Sequence, residues 1–419
     1  MSKALHPLIT VTQQRILTYV INIIRGVLSV VLESLITLLV IEFLLYLIYN
    51  YWGGLSSKLK GRGITVSAFT ITFDVGKSMK PRAKRSEVLS KALGISGVIN
   101  VALLMLIFYW IIIPSAIDIV RTLLGVREAV STPFVPVVPG VTIKGSNVLY
   151  FLVGVSIAVV AHEFFHALTA LNEGIKVESW GLGLFLIFPF AYVKIDDRDY
   201  SKSSLSSRVK VLSAGVLSNT ALALILLASI SSISTVIEQH SMVVIYELDR
   251  SLGPEAPAVV AGVPTPSVLY DINGTKIGSL SDLRNYLTSI ADKPATLVLN
   301  ISKFKSLVDD VVIEGLQRPE LIEVVKPSNM SRLGILVVEA LSPSTPLHLY
   351  YLNRVFYWTY VVNISLAVFN AAPLIITDGG KILQEVLNRY GLKKLGYVVQ
   401  WVTIVITVSL LVIGLLRFI

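Results

Sequence analysis

The sequence predicts a polytopic α-helical membrane protein of about six transmembrane helices, with a membrane-embedded β-like loop and an inserted soluble α/β domain. Three observations carry this. Of the 419 residues, 54% are hydrophobic and 15% charged, where soluble domains carry about 25% charged residues; the mean hydropathy is +0.73. Apolar stretches recur near the ~20 residues that a bilayer requires. Between residues 243 and 341 those stretches give way to Pro, Gly, Asp and short β-rich runs.

In chain order, the predicted spans cover about 26–52, 93–120, 146–172, 209–233, 347–369 and 395–419. The first carries Glu33 and Glu42, expected to serve polar packing or the interface. No short signal-peptide pattern precedes it, so it is expected to remain as an anchor. Residues 180–193 are rich in Gly and aromatics, contain Pro189, and are too short and broken to span. A re-entrant loop or embedded hairpin fits, since irregular backbone at depth must be buried in protein or line a cavity. From 243 to 340, runs at 259–260, 268–272, 296–301, 321–325 and 333–338 read as strands, and 279–287 as an amphipathic helix capped by Ser279 or Ser281. Four regions follow: 1–145 with two spans and a basic loop, 146–242 with the third span, embedded loop and fourth span, 243–341 as the soluble domain, and 342–419 as the C-terminal membrane region.

The net charge of +9 does not point to nucleic acid, because no recognition module is legible. The basic residues flank spans, where topology and anionic lipid explain them. Lys58, Lys60, Arg62, Lys77, Lys80, Arg82, Lys84, Arg85 and Lys91 oppose only Asp74 and Glu87 between the first two spans, which assigns that loop to the cytosol. Lys176, Lys194, Arg198, Lys202, Arg208 and Lys210, then Arg389, Lys393 and Lys394, fall on the same side. The Pro-rich loop 132–145 and the soluble domain fall on the other. With no cysteine in the chain, disulfides and thiolate metal ligands are excluded.

Within the third span stands His162-Glu163-Phe164-Phe165-His166. Residues 146–172 contain no other Asp, Glu, Lys, Arg or His, and ionisable groups at membrane depth mark function by default. H-E-x-x-H on a helix sets two imidazoles one turn apart on one face with a carboxylate beside them, the arrangement of two zinc ligands and a general base. A zinc site needs a third protein ligand. Asp378 is the best candidate, in an apolar segment after the fifth span where Pro373 breaks the helix and Gly379-Gly380 are expected to permit a tight turn. Its competing reading is the N-cap of a helix over 381–389. Gly215 reads as small-residue packing or as part of a site, and Asn219 and Asn370 as amides that hold another helix, an oxyanion or an extended substrate.

His162-Glu163-x-x-His166, Gly215-x-x-x-Asn219 and Asn370-x-x-Pro373 with Asp378-Gly379, in this order, resemble the site-2 protease family of intramembrane zinc metalloproteases. Val138-Pro139-Gly140-Val141 and Phe188-Pro189-Phe190-Ala191-Tyr192-Val193 are similar to its archaeal and eukaryotic branch. Before Asp378-Gly379 of that pattern, Thr377 replaces a common Leu. The inserted region resembles a PDZ domain at 257–262 and 271–277, with Pro266-Ser267 replacing the usual Gly-Asp and 304–318 looking like an insertion. The resemblance implies a Zn2+ site of His162, His166 and Asp378, with Glu163 as general base toward a zinc-activated water and Asn219 and Asn370 as substrate-binding residues. It implies proteolysis of transmembrane protein substrates within the lipid bilayer of a multi-pass protein, expected in the cell membrane. The active site would lie toward the cytosol and the PDZ-like domain on the opposite face. Three rival readings are an inactive scaffold, against which the intact motif argues, a channel or transporter with a structural metal, and a zinc hydrolase of another membrane substrate.

Overall fold

The computed structural model describes residues 37, 39–81, 86–124, 134, 136–291, 293–308, 311–328, 330 and 332–416. It comprises two compact units, one of residues 1–227 with 355–419 and one of residues 228–354. The first begins with α1 (Leu39–Tyr51), a short apolar helix. Most of the expected first span upstream of it, with Glu33, lies outside the described residues, as do Arg82, Lys84, Arg85 and part of the Pro-rich loop. Glu42 is buried on α1.

After α2 (Leu55–Lys60) the chain forms β1 (Ile64–Val66) and β2 (Thr70–Met79), then α3 (Glu87–Leu123), α4 (Asn147–Asn172), β3 (Val177–Phe185), β4 (Phe188–Ile195), α5 (Asp197–Lys202) and α6 (Leu205–Glu238). The stretch read as a basic loop is therefore partly a sheet. Thr70, Thr72 and Asp74 alternate with Ile71, Phe73 and Val75, the period of a strand. The embedded region is a hairpin, β3–β4, and the strand order is β1-β2-β3-β4, antiparallel throughout.

Glycines and aromatics face each other across this sheet. Gly181 pairs with Tyr192 and Gly183 with Phe190, and Gly76 pairs with Trp180. A Cβ on any of these glycines would enter the ring lying over it, so glycine is needed for clearance. The Tyr192 hydroxyl reaches over β3 to donate to Asp74 on β2. These pairs fix the register in the outer part of the sheet, while Met79, Val177, Val193 and Ile195 at its other end pack with Ala167 and Ala170 of α4.

The second unit holds β5 (Ser241–Leu248), α7 (Pro257–Val260), β6 (Ser267–Ile272), β7 (Thr275–Lys276), α8 (Leu280–Ser289), β8 (Ala295–Lys303), β9 (Ser306–Val308), β10 (Val312–Glu314), β11 (Glu320–Lys326) and β12 (Ile335–Leu341). Its strands run in the order β11-β8-β6-β5-β12-β10-β9, with β7 beside β6. Val243, Ile245, Leu269, Leu299 and Val324 meet Leu283 of α8 in one core. Ser279 caps α8, accepting from the Asp282 N–H at 3.1 Å. Residues 259–260, expected as strand, belong to α7, which Pro257 starts at its first turn. The expected insertion forms the hairpin β9–β10, which extends the sheet beside β12.

The chain closes with α9 (Leu347–Ala371), α10 (Asp378–Arg389) and α11 (Lys393–Leu416). Among the described residues, four helices are long and apolar enough to cross a membrane: Ser90–Thr122, Asn147–Asn172, Leu205–Glu238 and Lys393–Gly414. They correspond to the second, third, fourth and sixth expected spans. α9 has the length, but Asn353, Arg354, Asn363 and Asn370 dilute its apolar character. Gly154 of α4 lets that helix approach the backbone of α9, where a Cβ would stand 3.0 Å from the Thr359 nitrogen. Val101 and Leu104 of α3, Val216 of α6 and Ala367 and Ala371 of α9 share one buried cluster.

Candidate metal centre

The spacing of His162 and His166 on α4 brings both imidazoles to its buried side, each 8% exposed. Asp378 reaches them from another element. α9 ends at Ala371, and the chain turns through Pro373 into α10. The cap of α10 is Thr377, whose Oγ1 accepts from the Gly380 N–H at 3.2 Å and donates to the Ala372 carbonyl at 2.5 Å. Asp378 is thus the first helical residue and its carboxylate is not needed as a cap. Gly379 and Gly380 are helical rather than turn-forming. A Cβ on either would collide with the carbonyls of Ala371 and Leu374, so these glycines bring the N-terminus of α10 against the end of α9. Gln400 of α11 donates to the Gly380 carbonyl at 2.7 Å.

Three atoms converge. His162 Nε2 lies 3.1 Å from Asp378 Oδ2, His166 Nε2 lies 3.2 Å from the same oxygen, and the two nitrogens are 3.0 Å apart. Tetrahedral zinc with bonds of roughly 2.0–2.1 Å holds its ligand atoms about 3.3 Å apart, so the triangle fits such an ion. The tautomer of His166 agrees, because its Nδ1 is 2.7 Å from the Val211 carbonyl. A carbonyl only accepts, so Nδ1 carries the proton and Nε2 presents a lone pair. Gly215 of α6 faces both rings. A Cβ there would lie 2.8 Å from His162 Nδ1 and closer still to His166 Nε2.

The centre opens on a cavity of about 410 Å³ whose lining includes Glu163, Asn370 and the β4 residues Ala191 and Val193. Glu163 stands beside the three converging residues, outside their set, and lines the cavity together with Val193. β4 ends the sheet and pairs only with β3 among the described residues, so its outer edge is unpaired. Asn219 is fully buried and lies against His162 Nδ1 at 3.2 Å; it does not line the cavity.

Two lining residues with polar side chains, Tyr200 and Lys381, are not among the site residues expected from the sequence. Lys381 Nζ lies 3.6 Å from Asp378 Oδ1, and its place three residues after Asp378 was the available signal. Tyr200 comes from α5, and nothing local in the sequence marks it. Burial, aided by Glu385, pushes its phenol above the usual range, so it remains a donor.

A sequence profile of peptidase family M50 matches residues 150–414, more than half of the chain. The chain belongs to peptidase family M50. The match covers all three converging residues and agrees with the resemblance to site-2 proteases. As an M50 member with four apolar helices, it is an integral membrane protein of a metallopeptidase family whose His162, His166 and Asp378 fit zinc. It is also similar to an uncharacterized protein of Methanocaldococcus jannaschii, 29% identical over 257 residues, which is 59% of this chain and 62% of that protein.

Proposed function

We propose that the protein is an intramembrane zinc metalloendopeptidase that hydrolyses peptide bonds in transmembrane segments of other membrane proteins. The observation that carries this is the meeting of two imidazole nitrogens and one carboxylate oxygen within 3.2 Å, beside a glutamate outside that set on an apolar helix. A bound zinc ion would supply Lewis acidity, lowering the pKa of water and polarising the scissile carbonyl. Glu163 takes the proton of the attacking water as the carbon–oxygen bond forms, then delivers it to the amine nitrogen as the carbon–nitrogen bond breaks. Lys381, Tyr200 and the Asn370 amide are the donors that line the cavity where negative charge develops.

A helical peptide bond is shielded by its own hydrogen bonds, so the substrate must unwind locally. The unpaired edge of β4, with Ala191 and Val193 at the cavity, supports capture of the unwound segment by strand addition. The loop charges support a cytosolic orientation of the site. The PDZ-like reading of 243–341 supports a filter against bulky ectodomains on the other face; deleting 243–340 should then admit uncut precursors.

The test is incubation of the purified full chain with single-span substrates, with and without a chelator, beside Glu163→Gln. Cleavage abolished by both supports the proposal. Cleavage indifferent to both overturns it, and a metal-dependent enzyme that turns over a lipid but no peptide would replace the substrate class.

A further inference from the structure

The three ligands are not held alike. His166 has the Val211 carbonyl behind it at 2.7 Å, and Asp378 has Lys381 at 3.6 Å. Behind His162 stands one side chain, Asn219, and its contact is chemically incomplete. Its Nδ2 faces His162 Nδ1 at 3.2 Å, while its Oδ1 is buried without a partner. The oxygen and nitrogen of a side-chain amide are interchangeable in shape, and only the hydrogen-bond network assigns them.

That network here is the requirement of His162. Its Nε2 points at the other two ligand atoms, so Nε2 must hold the lone pair. A neutral imidazole then carries its proton on Nδ1, and Nδ1–H needs an acceptor. Turning the Asn219 amide over puts Oδ1 in that place as the acceptor, and the amide nitrogen takes the buried position that has no partner. The opposite orientation would favour a proton on Nε2, which blocks ligation. The helix pairing fits: as α4 steps from His162 to His166, α6 steps back from Asn219 to Val211, and Gly215 lies midway, against both rings.

We infer that Asn219 is a positioning residue for the metal centre, accepting from His162 Nδ1–H through Oδ1 and thereby fixing the tautomer and ring angle that present Nε2 to the ion. This rests on the metallopeptidase reading, and it replaces the expectation that Asn219 binds substrate.

The test reads metal binding rather than turnover. The full-length protein in detergent is stripped with a chelator and titrated with Zn2+ in competition with a chromophoric chelator; Co2+ spectra report ligand geometry. Asn219→Leu should weaken zinc by about 10- to 100-fold and alter the Co2+ spectrum. Asn219→Asp, which restores an acceptor, should bind zinc at least as tightly as the parent. A role limited to helix packing inverts that order, because the apolar near-isostere would be tolerated and a buried carboxylate would not. Parent-like affinity in the Leu variant, or weaker binding by Asp than by Leu, overturns the inference. If the Leu variant does not fold, Asn219→Asp against Asn219→Ala makes the same comparison. Failure of the underlying reading looks different: the parent itself would bind no stoichiometric zinc, or His162→Ala would leave binding intact.

Discussion

In the unit of residues 228–354 the interior is aliphatic: Val243, Ile245, Leu269, Leu299 and Val324 are buried together. In the other unit buried polar residues, among them His162, Asn219, Asn363, Asp378 and Gln400, stand beside small apolar clusters, while Trp110 is 78% exposed and Leu224 and Trp401 also face outward. The sheets differ likewise. The larger one covers a broad core, whereas β1–β4 share a small aliphatic cluster and add rings crossing glycines. A lipid surround removes the force that sorts apolar from polar residues. Close packing and satisfied polar contacts then hold the helices, and the interior is left for chemistry.

Gly215→Val breaks the polar interior most directly. A side chain there must displace both imidazoles, so zinc binding and all hydrolysis should be lost while the 228–354 unit keeps its hydrogen-exchange protection. Retained stoichiometric zinc would contradict the geometry. Glu163→Gln is expected to keep the metal and lower hydrolysis by about 10²- to 10⁴-fold, checked by metal analysis beside initial rates. Leu299→Ala strikes the aliphatic interior instead. It should cost about 2–5 kcal/mol, seen as faster exchange in β5, β6 and β8, with zinc affinity unchanged. A coupled loss of zinc would show that the two interiors are not independent.

The sequence revealed the site unevenly, for physical reasons. His162 and His166 were legible because helical spacing and an apolar setting mark them. Asp378 was legible as a candidate ligand, and Thr377 carries the cap that competed for it. Gly379-Gly380 suggested a turn, since composition cannot separate conformational freedom from clearance; only the nearby Ala371 and Leu374 carbonyls decide. β1 and β2 were hidden by the flanking lysines and arginines that gave the loop its topology, although 70–75 alternate as a strand does. Tyr200, Lys381 and the orientation of Asn219 depend on which elements meet, and no local pattern encodes that.

The smallest expected effect tests how the site is joined to the polar surface of its own unit. Asp196 caps α5 by accepting from the backbone N–H groups of Arg198 and Asp199, each at 3.0 Å. The bond from Asp199 is the main reason that its carboxyl sits below the ordinary carboxylate range; burial opposes the shift and the Arg198 N–H adds to it. A folded-state value below the unfolded one means that the cap contributes fully above the ordinary carboxylate pKa and is lost as the pH falls through the depressed value. Protection of the 198–203 amides, corrected for intrinsic exchange, should therefore decline on acidification in the parent. In Asp196→Asn the cap should persist with no such step, because an amide accepts without titrating. Identical acid profiles in the two proteins would remove Asp196 as the cause. Since α5 carries Tyr200 to the cavity, a loosened cap should cost turnover before it costs zinc, which separates support of the cavity wall from support of the ligands.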